Sequence, residues 1–338
     1  MWRMAPISSS VLAAAGALQQ ISESSPGERG RRAAAGALVL RAVEQAVDRG
    51  QGFQFVAARA GIEVSGLERG PERAVLRRIL LLLEGEGEVE TARLASPLVG
   101  YACELERTRR LPEADAALLL ARSAAPDDAE VALHCARVAR KLGDRERALE
   151  LYAAARDLDG VGGSVARLAD VGEAVVSDDA ERALTRVVRA SLRAGDAESA
   201  AVGLEERARV RRAAGNRRGA ARDLCLAAAR FTDGVDRARV AHELADVAVA
   251  SGDPLAAREA LLVALEWGDA PQKEHARARL HTLARDLGDQ VGARRWRSSR
   301  RPSLTSLSLY RPQPVDRSAA PRISRWRQAL GERATPAK

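Results

Sequence analysis

Residues 95–128, ASPLVGYACELERTRRLPEADAALLLARSAAPDD, and residues 129–162, AEVALHCARVARKLGDRERALELYAAARDLDGVG, carry one skeleton twice. Ala102, Ala114, Leu118, Ala121 and Pro126 in the first are answered 34 residues on by Ala136, Ala148, Tyr152, Ala155 and Gly160. Each block holds two helical stretches, and Gly143-Asp144 marks the turn between those of the second. A small residue on each helix lets a pair approach closely, and such a pair buries its remaining apolar face only by stacking on the next.

Blocks beginning at Ser164, Ala201, Ala238 and Glu274 continue the pattern with small insertions. They offer Ala183, Val187 and Ala190; Ala208, Gly215, Ala220, Leu224 and Ala227; Ala245, Gly252-Asp253, Ala257, Leu261 and Ala264; and Leu280 with Gly288-Asp289. The Ser164 block lacks the first small residue, and the last block departs furthest, as a terminal repeat facing water should. Over residues 95–298 the pattern resembles the tetratricopeptide (TPR) family, or the wider class of TPR-like helical repeats. The resemblance implies an all-α fold: a right-handed solenoid of about six two-helix units over residues 94–298. An irregular alanine-rich helical bundle is the alternative.

Composition agrees with helix throughout. Alanine, leucine, arginine and glutamate dominate the 338 residues and aromatics make up 3%, so strong helix formers are plentiful and strand formers sparse. Residues 1–30 read as a weak helix and a linker, and residues 31–93 as a helical N-terminal module. The sequence Glu84-Gly-Glu-Gly-Glu88 reads as a domain boundary. Residues 299–338 mix Ser, Pro and Arg without a period and read as a disordered basic tail, broken by one short amphipathic basic turn at Ile323, Trp326 and Leu330.

The net charge of +8 is unevenly spread. From Ala293 onward eleven arginines and Lys338 stand against Asp316 and Glu332, a net of +10, which leaves −2 for residues 1–292. The basic character therefore reads as the tail's, and nucleic acid or another polyanion is a candidate partner through the tail. Cys103, Cys135 and Cys225 are scattered, without a CxxC pair, which favours a reducing compartment. No run reaches the length of a membrane span. Cytoplasmic placement is the expectation. A poor secretory signal in MWRMAPISSSVLAAAGALQQ is the alternative. The excess of arginine over the three lysines fits GC-rich bacterial coding.

No catalytic, cofactor or metal set emerges, and the expectation is that the chain is not an enzyme. His275 and His281 are six apart, about 240° around a helix, and do not share a face. His242-Glu243 begins like a zinc-protease helix, but Asp246 stands where the second histidine belongs. Gly160-Val-Gly-Gly163-Ser164 follows a helix and lacks the GK[ST] ending, so it reads as a joint between repeats. One stretch near residues 54–69 keeps a second function open. Val56-Ala-Ala-Arg-Ala60-Gly61-Ile62, with Leu67 and Arg69 beyond it, is similar to the helix-turn-helix of bacterial repressors. Gly66, Gly70-Pro71, Glu63 and Glu68 damage it where a recognition helix would meet DNA.

In TPR domains the first helices of successive units line a groove. The resemblance places Arg107, Arg137, Arg140, Lys141, Arg209, Arg212, His242 and Arg285 in or near it. Such a groove suits an acidic or C-terminal-carboxylate peptide, since guanidinium forks grip carboxylates. Solvated helix-face arginines are the plain alternative. The Lys/Asn clamp of some TPR proteins is absent, with Val99, Cys103 and Leu133 in its places. The expected function is a protein-protein scaffold or adaptor. The alternative is a DNA-associated transcriptional regulator with a partner-sensing repeat domain.

Overall fold

The computed structural model describes residues 27–49, 53–83, 92–160 and 162–297. Among them fifteen helices follow one another without a strand: α1 (Glu28–Arg49), α2 (Gln54–Ser65), α3 (Pro71–Leu83), α4 (Ala92–Arg107), α5 (Leu111–Ala124), α6 (Ala129–Leu142), α7 (Arg145–Asp159), α8 (Ser164–Val176), α9 (Ala180–Arg193), α10 (Ala197–Ala213), α11 (Arg217–Ala228), α12 (Gly234–Ala250), α13 (Pro254–Trp267), α14 (Ala270–Asp286) and α15 (Gln290–Arg297).

A recurrent two-residue joint sets many of the boundaries. Gly143, Gly195, Gly215, Gly252 and Gly288 all take a left-handed backbone, which glycine adopts without a Cβ clash. The next residue caps the following helix. Asp144 accepts from the Arg147 amide, Asp196 from Ser199, Asn216 from Gly219, Asp253 from Ala256 and Asp289 from Gly292. Each cap satisfies an amide that the first helical turn leaves without a partner.

The chain forms two compact units, Met1–Val176 and Ser177–Lys338. In the first, α1, α2 and α3 pack on one another, α3 packs on α4, and α1 on α5. Helices α4 and α5 pair, as do α6 and α7, while the first helices α4, α6 and α8 touch in turn. The small residues Ala102 and Ala114, and Ala136 and Ala148, are buried, with Leu118 and Tyr152 filling the space one turn on. Arg110 ties the N-terminal helices to this stack by reaching Glu72 on α3 at 3.1 Å and Glu113 on α5 at 3.5 Å.

In the second unit every helix from α9 to α15 packs on its sequence neighbour, and α12 also touches α14. Ala208 and Ala220, then Ala245 and Ala257, are buried, followed by Leu224 and Leu261 and by Ala227 and Ala264. The last pair closes on Leu280, Ala293 and Trp296.

The block begun at Ser164 is corrected by one residue. Leu184, Val188 and Ser191 are the buried face of α9, whereas Ala183 and Val187 are half-buried and Ala190 is exposed. The missing small residue is Gly172: a Cβ there would stand 2.2 Å from the Tyr152 ring. The boundary between the two units also falls inside this block, so α8 packs with α7 and α9 with α10.

The helix-turn-helix reading is corrected too. Ala60 and Gly61 lie inside the unbroken helix α2, and the chain turns instead over Gly66–Gly70. A glycine inside a helix costs only about 1 kcal/mol, and burial of Ala57, Ala60 and Val64 offsets it. The expectations for residues 1–26, for Glu84–Glu88 and for the tail from residue 299 lie outside the described residues.

Replacing Gly172 with Ala should cost about 1–3 kcal/mol, because the buried Tyr152 ring must move, even though alanine is the better helix former. Ala148→Leu should cost a similar amount. Ala278→Leu, on an exposed position of α14, should stay within about 0.5 kcal/mol. Urea melts of the three variants test the packing.

Candidate functional site

The first helices of each unit present the candidate cations, and each unit treats them differently. In the first unit Arg107 ends α4 and pairs with Glu104, one turn back, at 2.9 Å while staying mostly exposed. Arg137, Arg140 and Lys141 rise from α6: Arg137 and Lys141 are exposed and Arg140 is half-buried. Lys141 reaches back to Glu106 on α4, so the strip runs across both helices. Four cations here stand against Glu104 and Glu106.

Beside this strip lie exposed Cys103 and half-buried His134, with Sγ and Nδ1 4.0 Å apart. Burial, followed by the charge of Arg137, lowers the His134 pKa to about 4, which keeps the imidazole neutral at ordinary pH. Burial raises all three thiols, Cys135 to about 12, so none is a ready thiolate.

In the second unit Arg209 is engaged by the protein itself. It meets Glu243 on α12 at 2.7 Å, Glu206 at 3.0 Å and the buried Glu205. Burial opposes its charge, but Glu205, Glu206 and Glu243 outweigh burial and hold the guanidinium above its ordinary pKa. Arg239 on α12 returns the contact by pairing with Glu205. Arg209 is thus a tie between α10 and α12.

Arg212 and Arg285 are exposed near the ends of α10 and α14. His242 donates from Nε2 to the Gln272 carbonyl at 3.2 Å, and its buried Nδ1 has no hydrogen-bond partner. Its ring lies 4.9 Å from His275 on α14. Burial lowers the His242 pKa, and the neighbouring His275 adds to this. His281, the histidine closest to His275 along the chain, instead bonds the Ala293 carbonyl at 2.8 Å. Sequence reasoning missed the His242–His275 pair, which is legible only as a residue of one first helix meeting the start of the next.

The structure therefore gathers Arg107, Arg137, Arg140 and Lys141 in one unit and places Arg209, Arg212, His242 and Arg285 in the other. Among the described residues no three His, Cys, Asp or Glu side chains converge to hold a metal ion. No described helix is long and apolar enough to cross a membrane. What the fold and site define is a chain of paired helices with charge ladders between consecutive first helices. No family model matches the chain, and no curated protein does so either.

Another buried set is structural. Asp223 on α11 receives Arg207 at 2.9 and 2.8 Å and Arg211 at 2.9 Å, both from α10. Arg207 also donates to Thr185 Oγ1 at 3.1 Å, and Arg211 to Glu181 at 2.8 Å, both on α9. Asp223→Ala would leave two guanidinium groups facing a buried gap and should cost about 3–5 kcal/mol.

His134 supplies a pH test. Its folded pKa, about 4, lies below the value of about 6.5 in the unfolded chain. The unfolded state therefore takes up the proton first. Stability from this group is complete above about pH 6.5, declines as pH falls, and levels off below about pH 4, a loss of at most about 3 kcal/mol. Urea melts at pH 7.5 and 4.5 should show that decline in the wild type and a flatter profile in His134→Gln.

Proposed function

We propose that the chain is a protein-holding scaffold of TPR-like repeats whose first-helix strip on α4 and α6 takes an acidic segment of a partner protein. The carrying observation is the exposure of Arg107, Arg137 and Lys141 on neighbouring first helices. Arg107, Arg137 and Lys141 against Glu104 and Glu106 leave the strip net positive, and guanidinium forks suit carboxylates.

The recurrence of buried small residues at Ala102/Ala114, Ala136/Ala148, Ala208/Ala220 and Ala245/Ala257 supports the repeat reading. So does the contact of α4 with α6, α6 with α8, and α12 with α14, since stacked two-helix repeats bring their first helices side by side. Arg209 contributes to the stack and not to the binding strip. This confines the acidic ligand to the first unit. The scaffold reading also gives the chain no reaction to perform.

The test is titration of fluorescein-labelled Asp/Glu-rich peptides into the full chain. Arg107→Glu and Arg137→Glu should each weaken binding by about 1.5–3 kcal/mol, the scale of a hydrogen bond to a charged group. Arg59→Glu, on an exposed position of α2, should leave affinity unchanged. Equal affinities in all four proteins would remove the strip as the binding site.

A further inference from the structure

We infer that the outer face of α9 and α11 is a sequence-independent docking surface for the phosphodiester backbone of duplex nucleic acid. On α9 the core-facing residues are Leu184, Val188 and Ser191. Arg182, Arg186, Arg189 and Arg193, spaced i, i+4, i+7 and i+11, stand on the opposite side, all exposed. At 1.5 Å per residue they form a line about 16 Å long.

Helix α11 repeats the arrangement 36 residues on. Ala220, Leu224 and Ala227 take the places of Leu184, Val188 and Ser191 in the core, and Arg218 and Arg222, also exposed, take those of Arg182 and Arg186. Helix α10 bridges the two helices from below. Arg207 bonds both Thr185 on α9 and Asp223 on α11, and Arg211 bonds both Glu181 and Asp223. These contacts bury the Asp223 carboxylate and pair Glu181 with Arg211, so neither forms an ion pair with the outer arginines.

Of the six outer arginines, Arg182 pairs with Asp179 at the N-terminal end of α9, and the other five have no ion pair among the described residues. A shallow open depression lined by Asp179, Glu181, Arg182, Thr185, Arg186 and Arg189 runs along this face.

The chemistry favours phosphate over the alternatives. Neither helix contains an aromatic residue on which an unpaired base would stack, or Asn or Gln to read a base edge. A folded acidic protein, unlike a short extended segment, would need apolar anchors at the centre of its interface. Leu192 is the one large apolar side chain exposed on α9, and it sits about a quarter turn from the arginine line. What remains is a lattice of guanidinium groups facing a polymer with one charge per about 1.7 Å of duplex axis. The net charge of −2 over residues 1–292 hides this face. The assignment of the basic character to the tail alone is thereby revised.

The experiment is fluorescence anisotropy of a labelled duplex with the full chain over a salt series. It is run also in a chain whose tail arginines, Arg300 to Arg333, are replaced by Gln. In both backgrounds Arg186→Gln/Arg189→Gln/Arg222→Gln should lower affinity at least tenfold and reduce the log–log salt slope by about 2.7, the value for three phosphates no longer neutralised. The corresponding Lys triple should keep the slope, and a scrambled duplex should bind equally. Three results would overturn the proposal: no duplex binding by the tail-neutralised chain, an unchanged slope in the Gln triple, or an equal loss in the Lys triple. Preferential displacement of the duplex by polyglutamate would assign the face to an acidic protein instead.

Discussion

The close approach of paired helices at small residues is the constraint on which the rest of the structure depends. Ala136 and Ala148 are fully buried on the paired helices α6 and α7, and at Gly172, where α8 meets Tyr152, even a Cβ would stand 2.2 Å from the ring. Beside the small residues each pair buries a large side chain one turn on, Leu118, Tyr152, Leu224 or Leu261. A core built mainly from alanine buries little apolar area per helix, which is why a chain with 3% aromatics still needs every pair to stack on its neighbours.

Thin apolar packing gives weight to the ionic ties. Arg147 grips Asp115 across α5 and α7, Arg209 and Arg239 share Glu205 and Glu243 across α10 and α12, and Arg207 and Arg211 share Asp223. A buried ion pair adds little net stability over an apolar pair of equal volume, but removing one partner is costly. Such pairs therefore penalise a slipped stacking more than they reward the correct one. Alanine faces, being nearly featureless, do not resist slippage by shape.

The helix pairs were legible because small residues recur at a nearly constant interval, which the close approach of paired helices requires. The pattern misleads where two neighbouring residues satisfy it equally. Val171 and Gly172 are both buried, and only the position of the Tyr152 ring makes Gly172 the contact. It misleads again at Ala60-Gly61, where a dipeptide that often ends a helix is carried inside α2 by the burial around it. Repeat position alone selects the candidate cations, and the position does not say whether a carboxylate is waiting. Part of the separation follows once the stacking is known, although Arg212 has Asp246 34 residues on and stays exposed. Arg209 has Glu243 34 residues on, Arg239 has Glu205 34 residues back, and Lys141 has Glu106 35 residues back. Arg137 has Cys103 and Val171 at those distances, and no acid.

The same logic explains why arginine plays opposite roles on the two kinds of helix. A first helix is flanked by the first helices of its neighbours, so a cation on its edge that meets an acid one repeat away, as Arg209 and Lys141 do, becomes part of the stack. The outward residues of α9 and α11 point away from the core, where no neighbouring helix supplies a carboxylate. Arg207 and Arg211, between helices, are consumed; Arg186 and Arg222, facing out, are not. The stack sorts its arginines by direction, and a charge total summed along the sequence loses that sorting. In a chain of this kind, the helix face an arginine occupies decides whether it is tied into the stack or left unpaired at the surface.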